Sequence, residues 1–154
     1  MTPVPDAPPA FTVPPDLRSP AGDLAVWFTD PPGAVVQLSE RKRGTVEMAS
    51  WLAGPGVHTL LDRFPGTARL VILLDLTLMK DRDPAVRPLL VEAAKALGPR
   101  IAQGIVVAPD KAGPVYLASV RAAASVLGVF GVDVHVARSV VGAIARAHLA
   151  PAAR

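Results

Sequence analysis

The feature that most limits the fold of this chain is an uninterrupted run of five apolar residues, 70–74. A strand that is buried on both faces has no solvent-facing positions, so it lacks the apolar–polar alternation of a surface strand. Strands of this kind occur mainly in parallel sheets whose two faces are covered by helices. A second, mostly apolar segment follows at 101–107. The two segments therefore predict a parallel sheet with a helix between its strands.

Strands and helices alternate along most of the chain, judged by apolar periodicity and turn chemistry. The predicted strands cover 24–29, 34–38, 69–76, 101–107 and 132–136. The predicted helices cover 45–53, 57–64, 88–97, 114–127 and 140–149. The turn sequence at 30–33, Asp-Pro-Pro-Gly, makes the first two strands a hairpin. The order ββαβαβαβα predicts an α/β fold with a mixed, mostly parallel sheet.

Local signals set several expected boundaries. Gly54-Pro55-Gly56 is expected to break the first helical segment, because glycine and proline both interrupt helices. Asp83 is a good helix N-cap, and Pro84 suits the first helical position. Ser139 is the predicted N-cap of the last helix. The charged segments 40–44 and 77–82 are predicted to be loops.

Proline divides the chain into two parts. Residues 1–22 contain seven of the 17 prolines. Because proline removes backbone donors and restricts φ, this stretch predicts a disordered or extended tail. Residues 23–150 are then expected to form a single α/β domain, within the usual size of roughly 100–200 residues.

Composition excludes several classes of protein. The chain has no cysteine, which excludes a disulfide scaffold and a thiolate site. Its net charge is only +3, so no nucleic-acid partner is expected. The apolar runs are shorter than the about 20 residues of a spanning helix, so no membrane span is expected. The N-terminal residues lack the cationic start and the apolar run that a signal peptide has, so the sequence predicts a cytoplasmic protein.

The residues with catalytic chemistry do not form a recognisable set. The carboxylates between Asp75 and Asp83 could bind Mg²⁺, but strand-ending, helix-capping and loop roles account for them better. The three histidines are spaced without a metal-binding or catalytic pattern. We therefore expect no metal, no cofactor and no catalysis. An enzyme would need groups from separate loops, such as Asp75 with Lys111.

From about 24 to 149 the chain resembles the STAS domain in its SpoIIAA-like form, the bacterial anti-sigma-factor antagonist group. The resemblance rests on the order of elements, on Asp75-Leu76-Thr77 after a buried strand, and on Asp83 before a helix. In phospho-regulated members the motif is Asp-Ser-Ser/Thr-Gly, and the first serine accepts the phosphate. Here it reads Asp-Pro-Ala-Val from Asp83, so the resemblance implies a regulatory module without the phosphorylation switch.

The leading functional hypothesis is a non-catalytic module that binds a protein partner and associates with itself through apolar surface. The expected contact residues lie in the segment after the third strand: Thr77, Lys80, Asp81, Arg82, Asp83, Pro84 and Arg87. The alternative is a carrier of a small molecule or lipid, with the small-residue helix 114–127 lining its cavity. A carrier would need an apolar pocket of at least ~300 Å³ between the sheet and the helices.

Overall fold

A mixed β-sheet lies at the centre of this computed structural model, which describes residues 9–108, 113–129 and 131–153. The strands are β1 Leu17–Arg18, β2 Leu24–Asp30, β3 Gly33–Leu38, β4 Lys42–Gly44, β5 Leu70–Asp75, β6 Met79–Arg82, β7 Ile101–Val107, β8 Val134–Ala137 and β9 Ala150–Pro151. The helices are α1 Val46–Trp51, α2 Val57–Arg63, α3 Val86–Leu97, α4 Pro114–Val129 and α5 Val140–Ala147. A π-helical turn, Leu52–Gly56, joins α1 to α2, and a 3₁₀ turn, Gly98–Arg100, follows α3.

The sheet is mostly parallel. Among the described residues its strands are ordered β1, β2, β3, β5, β7, β8, and β9 pairs with the end of β2. The pair β2–β3 is the predicted antiparallel hairpin. The strands β3, β5, β7 and β8 run parallel to one another. The predicted α/β fold with a mixed, mostly parallel sheet is therefore confirmed.

Helices cover both faces of the sheet. Successive strand residues point to opposite faces, and in β2 the side chains of Val26 and Trp27 enter two different apolar clusters. The cluster of Val26 contains residues of α1, α2 and α3, whereas the cluster of Trp27 contains residues of α5. No helix in the described part of the chain is both long and apolar enough to cross a membrane.

Two segments predicted to be charged loops are strands. β4 and β6 form a separate two-stranded parallel sheet. The backbone N–H of Lys42 donates to the carbonyl of Leu78 at 3.1 Å, and Leu78 and Met79 are buried beneath the charged residues. The loop prediction was wrong because each strand is paired with the other, 37 to 38 residues away in the sequence, and charged side chains hide the strand pattern.

The predicted helix break at Gly54-Pro55-Gly56 was also wrong. The backbone stays helical from α1 through the π-helical turn into α2. The N–H of Val57 bonds to the carbonyl of Leu52, five residues back, which is the π pattern. A wider turn accommodates Pro55, whose ring would clash with the backbone of a regular α-helix.

The described part of the proline-rich tail is packed on the sheet, so the tail prediction needs correction from residue 9 onward. Leu17 and Arg18 pair with β2. The indole N–H of Trp27 donates to the carbonyl of Val13 at 2.9 Å, and the ring of Phe11 meets that of Trp27 edge-on at 6.0 Å. The backbone of β2 pairs with this segment. Burial of the segment's apolar side chains also stabilises its packed position, despite the prolines that limit its backbone hydrogen bonds. Residues 1–8 lie outside the described residues.

The helix starts agree partly with the predictions. Ser139 caps α5 as predicted, because its hydroxyl accepts from the N–H of Gly142 at 3.0 Å. Asp83 accepts from the N–H of Ala85 at 2.9 Å, but α3 begins only at Val86. Pro88 is then the third helical residue, where the absent N–H would have had no helical acceptor.

Gly33 provides a test of the contact between β3 and β5. A Cβ there would lie 1.9 Å from the carbonyl oxygen of Val71, and backbone atoms cannot move away cheaply. We expect Gly33→Ala to lower the free energy of unfolding by at least about 2 kcal/mol in urea denaturation. Gly54→Ala is the matched control, since nothing lies within 4 Å of its Cβ. Equal stability of the two variants would contradict this packing.

Candidate functional site

An apolar cavity of about 210 Å³ lies between the sheet and the helices of its α1–α3 face. Its sheet side is formed by side chains such as Val36, Ile72 and Val106. Its helix side includes Leu90 of α3 and Val57 of α2. The π-helical turn also borders it through Leu52 and Gly56.

The cavity exists because small residues face one another across the layers. Ala34 of β3 and Gly104 of β7 lie on its sheet side, and Ala93 and Ala94 of α3 lie on its helix side. Protein interiors are normally packed to the density of organic crystals, so short side chains on opposing elements leave volume unfilled. The sequence signal for the cavity is therefore the Ala93-Ala94 pair on a helix whose other lining residues include Leu90, Val91 and Leu97.

Two arginines are the charged residues in the described lining of the cavity. Arg82 is the last residue of β6 and Arg87 lies in the first turn of α3, and both are half-buried. The turn between them is closed by the N–H of Val86, which donates to the carbonyl of Asp83 at 2.9 Å. All other described lining residues are Val, Leu, Ile, Ala, Met or Gly. We call Arg82 and Arg87 the arginine end of the cavity.

The structure divides the predicted contact residues into separate groups. Arg82 and Arg87 line the cavity. Lys80, Asp81 and Pro84 are exposed.

The two remaining predicted contact residues bond to the chain itself. Thr77 donates from its N–H and its hydroxyl to the carboxylate of Asp75. Asp83 is half-buried, and its carboxylate accepts from the backbone of Ala85. The seven residues therefore differ in their exposure and in their contacts within the chain.

Asp75 is a structural residue in this fold. It is 2% exposed, and its second carboxylate oxygen accepts from the amide of Gln37 at 2.9 Å. The carbonyl oxygen of that Gln37 side chain accepts in turn from the N–H of Ala10 at 2.9 Å. This buried network joins β3, β5 and the N-terminal segment. Lys111, the partner that an enzyme would require, lies outside the described residues.

The helix expected to line a carrier cavity, α4, borders it through a described residue. Among the α4 side chains that the structure describes, Val120 borders the cavity. The described helical wall also includes Val86, Leu90 and Ala94 of α3, a helix that was not expected to line a cavity. Within the described ranges, no group of three or more His, Asp and Glu residues could hold a metal ion.

Asp23 anchors the small β4–β6 sheet that carries Arg82. Its side chain is 7% exposed, and it accepts hydrogen bonds from the hydroxyl of Ser19 and from the Lys42 ammonium, the latter at 3.0 Å. Burial raises the pKa of Asp23, but the bonds from Ser19 and Lys42 together outweigh burial and hold the pKa below its ordinary value. The carboxylate is therefore stabilised in its charged form.

Comparison with protein-family models, with curated proteins and with solved structures found no match for this chain.

We expect Asp23→Asn to lower the free energy of unfolding at pH 7 by about 1–3 kcal/mol, because charged hydrogen bonds are lost. A carboxyl group with a lowered pKa stabilises the fold above its unfolded-state pKa and loses this effect as pH falls through its folded-state pKa. The difference between wild type and variant should therefore shrink below about pH 4.

Urea unfolding at pH 7 and pH 3 measures this difference. The control is Asp81→Asn, since the carboxylate of Asp81 is 70% exposed. An Asp23→Asn effect of the same size at both pH values would rule out the proposed ionic contribution.

Proposed function

We propose that this protein is a non-catalytic binding domain whose cavity holds a small apolar molecule. The observation that supports this proposal is the cavity of about 210 Å³, whose described walls are apolar except at the arginine end. Binding sites for small molecules have this character, with mostly apolar walls and a few placed polar groups. The STAS resemblance agrees with a module that binds and regulates without catalysis.

The cavity volume favours a small molecule over a lipid. An apolar cavity of about 150 Å³ is enough to bind benzene, and this one is larger. It is smaller than the ~300 Å³ expected of a small-molecule or lipid carrier. We therefore limit the proposal to compounds with a short apolar body.

A protein-binding module is the second candidate. Lys80, Asp81 and Pro84 are exposed within a short stretch that also shapes the cavity through Arg82 and Arg87. A partner that contacts these outer residues would lie close to the arginine end. Ligand occupancy could then alter the surface that the partner contacts, which would unite the two functions.

Filling the cavity tests the first proposal. Ala94→Leu adds three carbons to the cavity wall, so we expect it to abolish binding of the neutral probe 1-octanol. The same variant should raise the free energy of unfolding by about 0.5–2 kcal/mol, as cavity-filling changes commonly do. Titration of ¹⁵N-labelled protein followed by NMR, together with urea unfolding, measures both effects.

The matched control for cavity filling is Ala96→Leu, which makes the same change on the exposed side of α3. We expect it to bind 1-octanol as wild type does. The ligand proposal fails if wild type shows no shifts at cavity residues, or if both leucine variants bind the probe equally.

Photo-crosslinking tests the second candidate. A photoreactive amino acid in place of Lys80 should give a discrete cross-linked protein in the native host, and Asp83→Lys should lower its yield severalfold. The same probe in place of the exposed Arg146, on α5, is the control and should give no such product. Identical products from both sites would exclude a specific partner surface around Lys80.

A further inference from the structure

We infer that the face of the sheet around Trp27 binds a short, proline-containing segment of a partner protein, and that residues 9–18 occupy this site as a displaceable internal ligand. We call residues 9–18 the N-terminal arm. The site lies on the α5 face of the sheet, opposite the cavity, so the inference does not depend on the proposed function. Three observations carry it: the bonds that hold the arm, the side chains of the arm that meet the sheet, and the exposure of the arm.

The bonds that hold the arm use its backbone groups. The indole N–H of Trp27 donates to the carbonyl of Val13 at 2.9 Å. The side-chain carbonyl of Gln37 accepts from the N–H of Ala10, also at 2.9 Å. Residues 17–18 add a backbone pairing with β2. Because backbone groups are common to all sequences, another segment of suitable shape can make the same bonds in place of the arm.

The side chains of the arm indicate which segments fit. The ring of Phe11 meets that of Trp27 edge-on at 6.0 Å and packs against the apolar cluster of this face. Pro14 and Pro15 follow directly after Val13, whose carbonyl the indole binds. Proline restricts φ, so a segment that contains it loses less conformational freedom when it binds. The expected partner segment therefore carries an aromatic residue, then two residues of other kinds, then a pair of prolines.

The arm covers buried side chains without being buried itself. Each of residues 9–18 is exposed or half-buried, and Val13 is 40% exposed. The side chains that the arm contacts are far less accessible, since Trp27 is 3% and Gln37 is 5% exposed. Segments that bury little surface open at a low free-energy cost, so the arm can leave while the sheet stays folded.

The site keeps its shape for a replacement when the arm leaves. The amide of Gln37 donates to the carboxylate of Asp75 at 2.9 Å, which keeps the Gln37 carbonyl directed toward the arm's position. The Trp27 indole N–H loses the acceptor that Val13 supplies, and a buried donor without a bond is costly. An incoming segment that offers a backbone N–H and a carbonyl at the spacing of Ala10 and Val13 meets both groups.

A peptide with the sequence of residues 9–18, added to the full-length protein, tests the inference by ¹⁵N NMR. The chain has two tryptophans, Trp27 and Trp51, and the second packs on the opposite face of the sheet as an internal reference. In wild type the attached arm competes at a high effective concentration, so the peptide should bind weakly. Phe11→Ala loosens the arm, and we expect it to raise the affinity for the peptide about tenfold, with shifts at the Trp27 indole but not at that of Trp51.

Thr12→Ala is the matched control, because it shortens an exposed side chain of the same arm. It should leave the affinity for the peptide as in wild type. Hydrogen exchange of wild type adds a measurement that needs no variant. The Trp27 indole N–H should be protected at least about tenfold less than the amides of β5, since opening of the arm precedes global unfolding.

Three results would overturn the inference. The first is a peptide that leaves the Trp27 indole unshifted in Phe11→Ala, or that shifts both tryptophans equally. The second is equal affinity of Phe11→Ala and Thr12→Ala, or protection of the Trp27 indole equal to that of β5. The third is a wild-type dimer in sedimentation that Phe11→Ala dissociates, which would assign the site to the arm of a second copy. Binding of 1-octanol in the cavity is measured separately, so the proposed function can stand or fail independently.

Discussion

The burial of β5 on both faces is the constraint on which the rest of the structure depends. Leu70 and Leu73 are fully buried and belong to the two different apolar clusters. A strand of this kind needs a neighbour on each edge and a cover on each face, because unpaired backbone groups and exposed leucines would both be costly. The strands β3 and β7 and the helices of the two layers meet this need. The close approach of Gly33 to Val71 follows from the same pairing.

The two faces of β5 are packed to different degrees. On the face of α5, Trp27 packs among smaller side chains and the N-terminal segment closes over it. On the face of α1–α3, short residues on the strands and on α3 leave the cavity.

The charged segments connect this cavity to the molecular surface. Asp23 binds Lys42 of β4, β4 pairs with β6, and β6 ends at Arg82 beside the cavity. A short stretch of chain thus carries both exposed charges and the arginine end. Residues of this one stretch therefore take part in both the proposed ligand site and the proposed protein-binding surface.

The sequence by itself determined the parts of this protein that depend on local chemistry. The apolar runs predicted the central strands, the proline–glycine turn predicted the hairpin, and Ser139 predicted the start of α5. Periodicity and capping act within a few residues, so they can be recognised without the fold.

Tertiary structure alone decided the pairing of β4 with β6, the docking of residues 9–18, the continuous helix through Pro55 and the cavity beside Ala94. Each of these depends on what lies opposite in space. Two charged segments become strands because they meet, and a small side chain leaves a cavity only when its facing neighbours are also small. Strand pairing and cavity volume depend on residues of different elements that meet in space, whereas a local sequence pattern describes one strand or helix only.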